Sequence, residues 1–329
     1  PISIVVCAKN EAANLKRFLP SLALQKYPFF EIVLVDDAST DNTLIEMLSF
    51  KKAHVNSAFE ITIVQISGRN SAGKKEALAK GIQMAQNEHI LLTDADCQPV
   101  SENWIAHMSA HFSQKTAIVL GYGAYQKRNN SFLNKLIRFE TLLTALQYFS
   151  YALAGKPYMG VGRNLAYKKE TFLKSGGFKK HSHIRSGDDD LFVSQTANQH
   201  NTAICDLKES FTESQPHTQL GNWIRQKRRH ITTANQYKPE TKLLLSLFFV
   251  SQFSIYALML ISIMTGTFSL IIIALFLIRM VFWYITIQKV AVRLNEKDLI
   301  AFGPLYEISI IFIQLYIFLK NIISPPKYW

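Results

Sequence analysis

The chain predicts an α/β domain with a doubly wound, mostly parallel sheet, followed by an interfacial helix and a C-terminal transmembrane helical region. Three observations carry this. Apolar runs of strand length alternate with helical segments from Ile2 to Thr93. Those runs are continuous rather than alternating, as expected when helices cover both sheet faces. After Lys242, charges become sparse.

In chain order, Ile2 to Cys7 reads as a strand, Glu11 to Ser21 as a helix, Glu31 to Val35 as a strand and Thr43 to Lys52 as a helix. Ile61 to Ile66 is the next strand, Lys74 to Gln86 a helix, and His89 to Thr93 a strand ending in Asp94-Ala95-Asp96. Side chains two apart on a strand share a face, so Asp94 and Asp96 are expected to approach one divalent ion or one diphosphate together. A solvated turn is the plain alternative. Further on come a strand at Leu165 to Tyr167, a helix at Leu191 to Thr196 and a helix carrying Gln226, Arg229 and His230 on one face.

Leu243 to Met264 and Thr267 to Gln288 are long enough to cross a hydrocarbon core as a helical hairpin, with Arg279 the single internal charge. Leu299 to Leu319 is read as a third span, although Gly303-Pro304 and Glu307 interrupt it, so re-entry or packing against the other two is the alternative. The predicted division is 1–218 for the α/β domain, 219–242 for the amphipathic segment and 243–329 for the membrane region.

The net charge is +12, and Arg225, Lys227, Arg228, Arg229, Lys238 and Lys242 lie just before the first span. Basic juxtamembrane residues stay on the cytoplasmic side, so the large domain is expected in the cytoplasm at the inner membrane, and the third span is expected to carry the C-terminus across. No stacking module or groove-reading helix points to nucleic acid. Cys7, Cys97 and Cys205 are odd in number and widely spaced, which predicts reduced thiols. His181 and His183 read as loop residues rather than a metal site. Pro1 is not an initiator methionine, which leaves room for an earlier targeting or membrane segment.

The ordered motifs AKNE (8–11), VDDASTDNT (35–43), GKKEAL (73–78), TDADC (93–97), GDDDL (187–191) and QKRRH (226–230) together resemble the inverting glycosyltransferases of family 2, whose GT-A domains bind nucleotide sugars. The resemblance covers residues 1–235 and extends to the apolar tail, as in membrane-bound synthases of polysaccharides and glycolipids.

The resemblance implies a nucleotide-sugar site at Ala8, Glu11, Asp37, Lys74 and Asp94. A carboxylate at Asp37 accepts a nucleobase N–H or ribose hydroxyls, while Ser39 or Asp41 caps the following helix. Lys74 sits at a helix start where it meets phosphate or a base edge, with Lys75 as the other candidate to turn inward. Asp94 and Asp96 become the family's Asp-x-Asp pair, with Asp96 the direct ligand of Mg2+ or Mn2+ bridging the two phosphates.

Asp188 takes the position of the family's general base, but Gly187 replaces the family's Glu, which leaves the choice between Asp188 and Asp189 open. Capping the helix is the other role available to the three acids. Arg163 and Asn164, in the loop 160–164, are expected to contact acceptor or donor, or to form a plain turn. Arg229 would bind the departing diphosphate and Gln226 shape the acceptor end. His230 stands where the family has Trp, which weakens the case for a processive polymer synthase.

The resulting expectation is a membrane-bound inverting glycosyltransferase of hexosyltransferase type. It would move sugar from a UDP-linked donor to a lipid or lipid-linked acceptor. A processive polysaccharide synthase and a noncatalytic, membrane-bound sugar-nucleotide-binding or scaffold protein are the alternatives. The retained acids argue against the last.

Overall fold

The computed structural model describes residues 1–66, 73–184, 186–267 and 270–324, and the chain forms two compact units. The first comprises 1–126 and 145–216; the second comprises 127–144 and 217–329.

The first unit opens with β1 (Ile2–Ala8), α1 (Ala12–Ala23), β2 (Phe30–Asp36), α2 (Thr43–Ala53), β3 (Glu60–Gln65), α3 (Lys74–Met84) and β4 (His89–Leu92). β5 (Cys97–Pro99), α4 (Trp104–Ser109), β6 (Ile118–Leu120) and β7 (Gly123–Tyr125) follow. α5 (Phe132–Leu153) starts in the second unit and ends in the first. β8 (Leu165–Lys168), α6 (Lys169–Lys174), α7 (Asp190–Thr196), β9 (Thr202–Ile204) and β10 (Thr212–Ser214) complete it.

The main sheet has the order β3-β2-β1-β4-β8-β6-β9. Its first four strands are parallel, and β8 runs antiparallel between β4 and β6. A smaller sheet has the order β5-β10-β7. The predicted class therefore holds, with one antiparallel insertion. β1 and β2 are buried along almost their whole length, because helices cover both faces. α3 lies so close to the sheet that a Cβ at Gly81 would stand 2.6 Å from Val35 Cγ2 and 2.8 Å from Val5 Cγ1. Only glycine permits that approach.

Parallel strands expose their carboxyl ends at one edge, where ligands bind in open α/β sheets. β1 ends at Ala8, β2 at Asp36 and β4 at Leu92. The loops beyond them carry AKNE, DDASTDNT and TDADC.

The second unit contains α8 (Leu220–Ala234), α9 (Pro239–Thr265), α10 (Leu270–Arg293) and α11 (Gly303–Ile323). The last three are long and apolar enough to cross a membrane. The expected second segment includes residues 268 and 269, which lie outside the described residues. Gly303-Pro304, expected to interrupt the third segment, instead begins its helix: proline is tolerated in a first turn, where its missing N–H costs no bond. Residues 127–144 join this unit through Arg138, which is 1% exposed. Its Nε donates to Glu296 Oε2 at 2.9 Å, and its Nη1 and Nη2 donate to Asp298 Oδ2 and Oδ1 at 2.8 and 2.6 Å.

Removing one partner of a buried ion pair strands the other in a low-dielectric interior. Arg138→Met should therefore cost about 3–5 kcal/mol of stability, seen as a lowered thermal midpoint of the purified full chain. Arg138→Met combined with Glu296→Met should recover most of that loss.

Candidate active site

The site lies in the first unit, at the carboxyl ends of β1, β2 and β4. β4 stops at Leu92, so Asp94 and Asp96 stand in a turn closed by Cys97 N–H donating to Asp94 O at 3.1 Å. The expected strand alternation is corrected accordingly: the turn, not the pleat, brings the two carboxylates together. Oxygens of Asp94 and Asp96 and Cys97 Sγ all lie within 4.8 Å of one another, the one such group of potential metal ligands among the described residues. Burial, then the charges of Asp96 and Asp94, pushes the Cys97 thiol well up, and its S–H donates to Asp96 Oδ1 at 3.4 Å. Hard oxygen donors fit Mg2+ or Mn2+ and a soft sulfur does not, so the two carboxylates are the ligands this group offers such an ion.

Lys74, in the first turn of α3, has its Nζ 2.8 Å from Asp94 Oδ1 and 3.1 Å from Asp188 Oδ2. Its side chain is 42% exposed, with the ammonium standing between the two carboxylates. Burial pulls its pKa down, yet Asp188 and Asp94 outweigh that and hold it well above the ordinary lysine value. Lys75 also turns inward, but elsewhere: its Nζ donates to the carbonyls of His181 and Ile184 at 2.8 and 2.9 Å. Lys74 therefore faces the carboxylates, and Lys75 holds the backbone at 181 and 184. His181 is buried beside Lys75, and burial pushes its ring down to about 4.

The acids of that run separate by geometry. Asp188 lines the cleft with Lys74, Asp94, Cys7, Thr93 and Gly162. Burial pushes its carboxyl up, but Lys74 outweighs burial and holds it below the usual range, so it is ionised. Asp189 has both oxygens engaged, Oδ2 accepting from Gly162 N–H and Oδ1 from Asp190 N–H, each at 2.8 Å. Burial, then Asp188 and Asp190, pushes it up to about 7. Asp190 Oδ1 accepts from Leu191 N–H at 2.7 Å in the first turn of α7. Gly187 adopts φ +93°, and a Cβ there would meet Leu191 Cδ1 at 2.6 Å. The backbone thus forbids the glutamate that the motif pattern has at this position.

On the β1 and β2 side, Asp37 is buried, its N–H donates to Ala8 O at 2.9 Å, and its Oδ2 lies 3.9 Å from Lys9 Nζ. Asp37 Oδ1 is buried without a hydrogen-bond partner among the described residues. Burial pushes this carboxyl up. An orphaned buried acceptor is costly unless something donates to it, which fits a nucleobase N–H or a ribose hydroxyl. Asp36 is accounted for locally, accepting from Ser39 N–H, and Asp41 Oδ1 accepts from Thr43 N–H just before α2, whose N-cap is Asn42. Glu11 is partly buried; its Oε2 accepts from Asn14 Nδ2 at 2.6 Å, and burial pushes its carboxyl up.

Arg163 stacks over Tyr125 at 4.3 Å, and its Nη1 donates to Ser214 Oγ at 2.8 Å. Asn164, expected to contact acceptor or donor, is fully buried. Its Nδ2 donates to Tyr122 O and Ser210 O, and its Oδ1 accepts from Trp104 Nε1. It is a brace under the loop, because a buried amide is held where its hydrogen-bonding groups are satisfied. Gln226, Arg229 and His230 lie on α8 of the second unit, with Arg229 Nη2 3.4 Å from His230 Nε2.

Sequence reasoning missed Cys7 and Thr93 as lining residues. Their positions at strand ends were the available signal. It also missed the Gly162 amide, a backbone donor that side-chain motifs do not display.

The chain is 28% identical over 180 residues to poly-beta-1,6-N-acetyl-D-glucosamine synthase of Staphylococcus epidermidis, a match covering 54% of this chain and 41% of the relative. It is 29% identical over 116 residues to beta-monoglucosyldiacylglycerol synthase of Nostoc sp., covering 35% and 24% respectively. The chain thus spans less than half the length of these curated relatives. In fold it is similar to the mannosyltransferase PcManGT of Pyrobaculum calidifontis, solved in complex with GDP-Man and Mn2+. That likeness has a TM-score of 0.58 at 20% identity and covers 93% of this chain and 86% of that one. It marks the α/β architecture as GT-A. The family model described as Glycosyl transferase family 2 matches residues 3–175, from β1 to the end of α6 and over half the chain, and the chain belongs to that family.

Proposed function

We propose that the chain is a membrane-bound inverting glycosyltransferase, moving a hexose from a UDP-linked donor to a hydroxyl of a lipid or lipid-linked acceptor. The observation that carries this reading is the convergence of Asp94, Asp96, Lys74 and ionised Asp188 at one sheet edge. The names of the two relatives, a polysaccharide synthase and a glycolipid synthase, support the reaction class.

In this reading, the orphaned Asp37 oxygen receives a donor from the nucleoside, and Glu11 and the Ala8 backbone shape the same end. Lys74 turns from the carboxylates to the diphosphate. Asp96 and Asp94 would hold Mg2+ or Mn2+, which supplies Lewis-acid stabilisation of the departing diphosphate when bound. Asp188 is the base: released from Lys74, it takes the acceptor proton as that oxygen attacks the anomeric carbon opposite the leaving group. One displacement inverts the configuration. Asp189 does not face the acceptor; it ties the loop at Gly162 to the start of α7. Arg163 contributes positive charge beside Asp96.

Residues 1–218 form the catalytic domain on the cytoplasmic side of the inner membrane, 219–242 the interfacial segment and 243–329 the membrane region. The basic residues before α9 and the apolar helices support this placement. Arg229 and Gln226 are assigned to the departing diphosphate and the acceptor end by motif position alone. Processive synthesis is the second reading, favoured by the similarity to the poly-N-acetylglucosamine synthase; chain length of the product separates the two.

With nucleotide sugars and membrane-lipid extracts as substrates, wild-type protein should release nucleoside diphosphate only with a divalent metal. Asp188→Asn should lower turnover at least ~100-fold, the usual contribution of a general base, while donor binding persists. Asp96→Asn should likewise abolish release and weaken metal binding. Robust turnover in both variants would overturn these roles.

Asp189 gives a pH prediction. Its folded pKa lies above that of an unfolded carboxylate, so the folded state holds the proton more tightly and stability falls as pH rises from about 4 to 7. Asp189→Asn should flatten this slope, measured as thermal midpoint against pH.

A further inference from the structure

α11 differs from the two apolar helices before it. Of its most apolar window, 28% is buried within the protein, against none of that of α9 and 6% of that of α10. Two polar ties fix its direction. Near its start, Glu307, only 1% exposed, accepts from Gln252 Nε2 at 3.0 Å, Tyr256 OH at 2.5 Å and Arg279 Nη2 at 2.5 Å. Near its end, Asn321 Oδ1 accepts from Arg228 Nε at 2.8 Å, Asn321 Nδ2 donates to Arg228 O at 3.3 Å, and Ser324 O accepts from Arg228 Nη2.

As α11 advances from 307 to 321, its partners therefore retreat from 252 and 256 on α9 to 228 on α8. A third crossing after a helical hairpin requires the opposite. The chain enters along α9 and returns along α10, so a further span would run parallel to α9, and its end would lie by the tip of the hairpin near Thr265. Here that end is tied to the helix preceding the first span.

We infer that α9 and α10 make the one membrane-crossing hairpin, and that α11 does not cross but turns back to lie with α8 on a single leaflet. The partner of this two-helix surface is an anionic lipid headgroup layer. Arg225 on α8, with Lys238 and Lys242 beyond it, supplies the charge. Phe312, Phe318 and Ile322, all more than half exposed on α11, supply apolar surface for the acyl boundary. Lys320 donates to Tyr316 OH at 2.7 Å, an amphipathic pair suited to that depth. This arrangement replaces the expected third span and puts residue 324 on the side of α8.

The inference rests on the reading that the apolar tail is membrane-inserted, and the test separates the two. Asn222→Cys on α8, Thr265→Cys at the hairpin tip and Ser324→Cys after α11 are introduced singly into the full chain. A membrane-impermeant maleimide is applied to sealed vesicles of both orientations, with the unsubstituted chain as the background for its three cysteines. Positions 222 and 324 should label from one face and 265 from the other. Labelling of 324 with 265, opposite 222, would overturn the return of α11 while leaving the membrane hairpin intact. Labelling of all three from one face would overturn the crossing hairpin and the inference with it.

Discussion

Asp94 and Asp188 line the cleft, with Asp96 beside the first and Asp189 next to the second, and the site depends on how that negative charge is balanced. Two like charges about 4 Å apart repel by on the order of 4 kcal/mol at an effective dielectric near 20, so four ionised carboxylates need nearby cations or protons. Lys74 provides the first answer by standing between Asp94 and Asp188. Protonation supplies a second, since Asp189 is pushed up to about 7 and Asp96 is raised by burial and by Asp94. A divalent cation on Asp94 and Asp96 would supply a third. On the proposed reading, the ammonium that balances the free site is the group whose departure toward phosphate would free the base, so donor binding would be coupled to acceptor activation.

The three acids of the run are not interchangeable. Asp190 closes the first turn of its own helix, Asp189 holds the Gly162 backbone, and only Asp188 shares the cleft with Lys74. Gly187 makes the separation possible: its left-handed backbone turns the chain sharply enough that consecutive carboxylates face different directions.

The sheet was legible because fully buried parallel strands leave continuous apolar runs, and Asp37, Lys74, Asp94, Asp96 and Asp188 were legible because they follow strand ends or open helices. What stayed hidden depends on contacts between distant residues. Nothing in GKKEAL says that the first lysine meets carboxylates while the second meets carbonyls at 181 and 184. Asn164 reads like a loop amide until Trp104, Tyr122 and Ser210 surround it. Arg138 is one charge in a helix until Glu296 and Asp298 meet it from the far end of the chain. The three apolar segments were equally plain in composition, whereas the direction of the third is fixed by Arg228 and Asn321, two polar side chains with no distinguishing local pattern.

On the proposed reading the reaction is a single displacement, with Asp188 as base on the face opposite the departing diphosphate. NMR of the anomeric centre in the product formed from a donor of defined configuration tests it most directly. A single displacement gives complete inversion, so that an α-linked donor yields only β-linked product. Retention of the donor's configuration would contradict it.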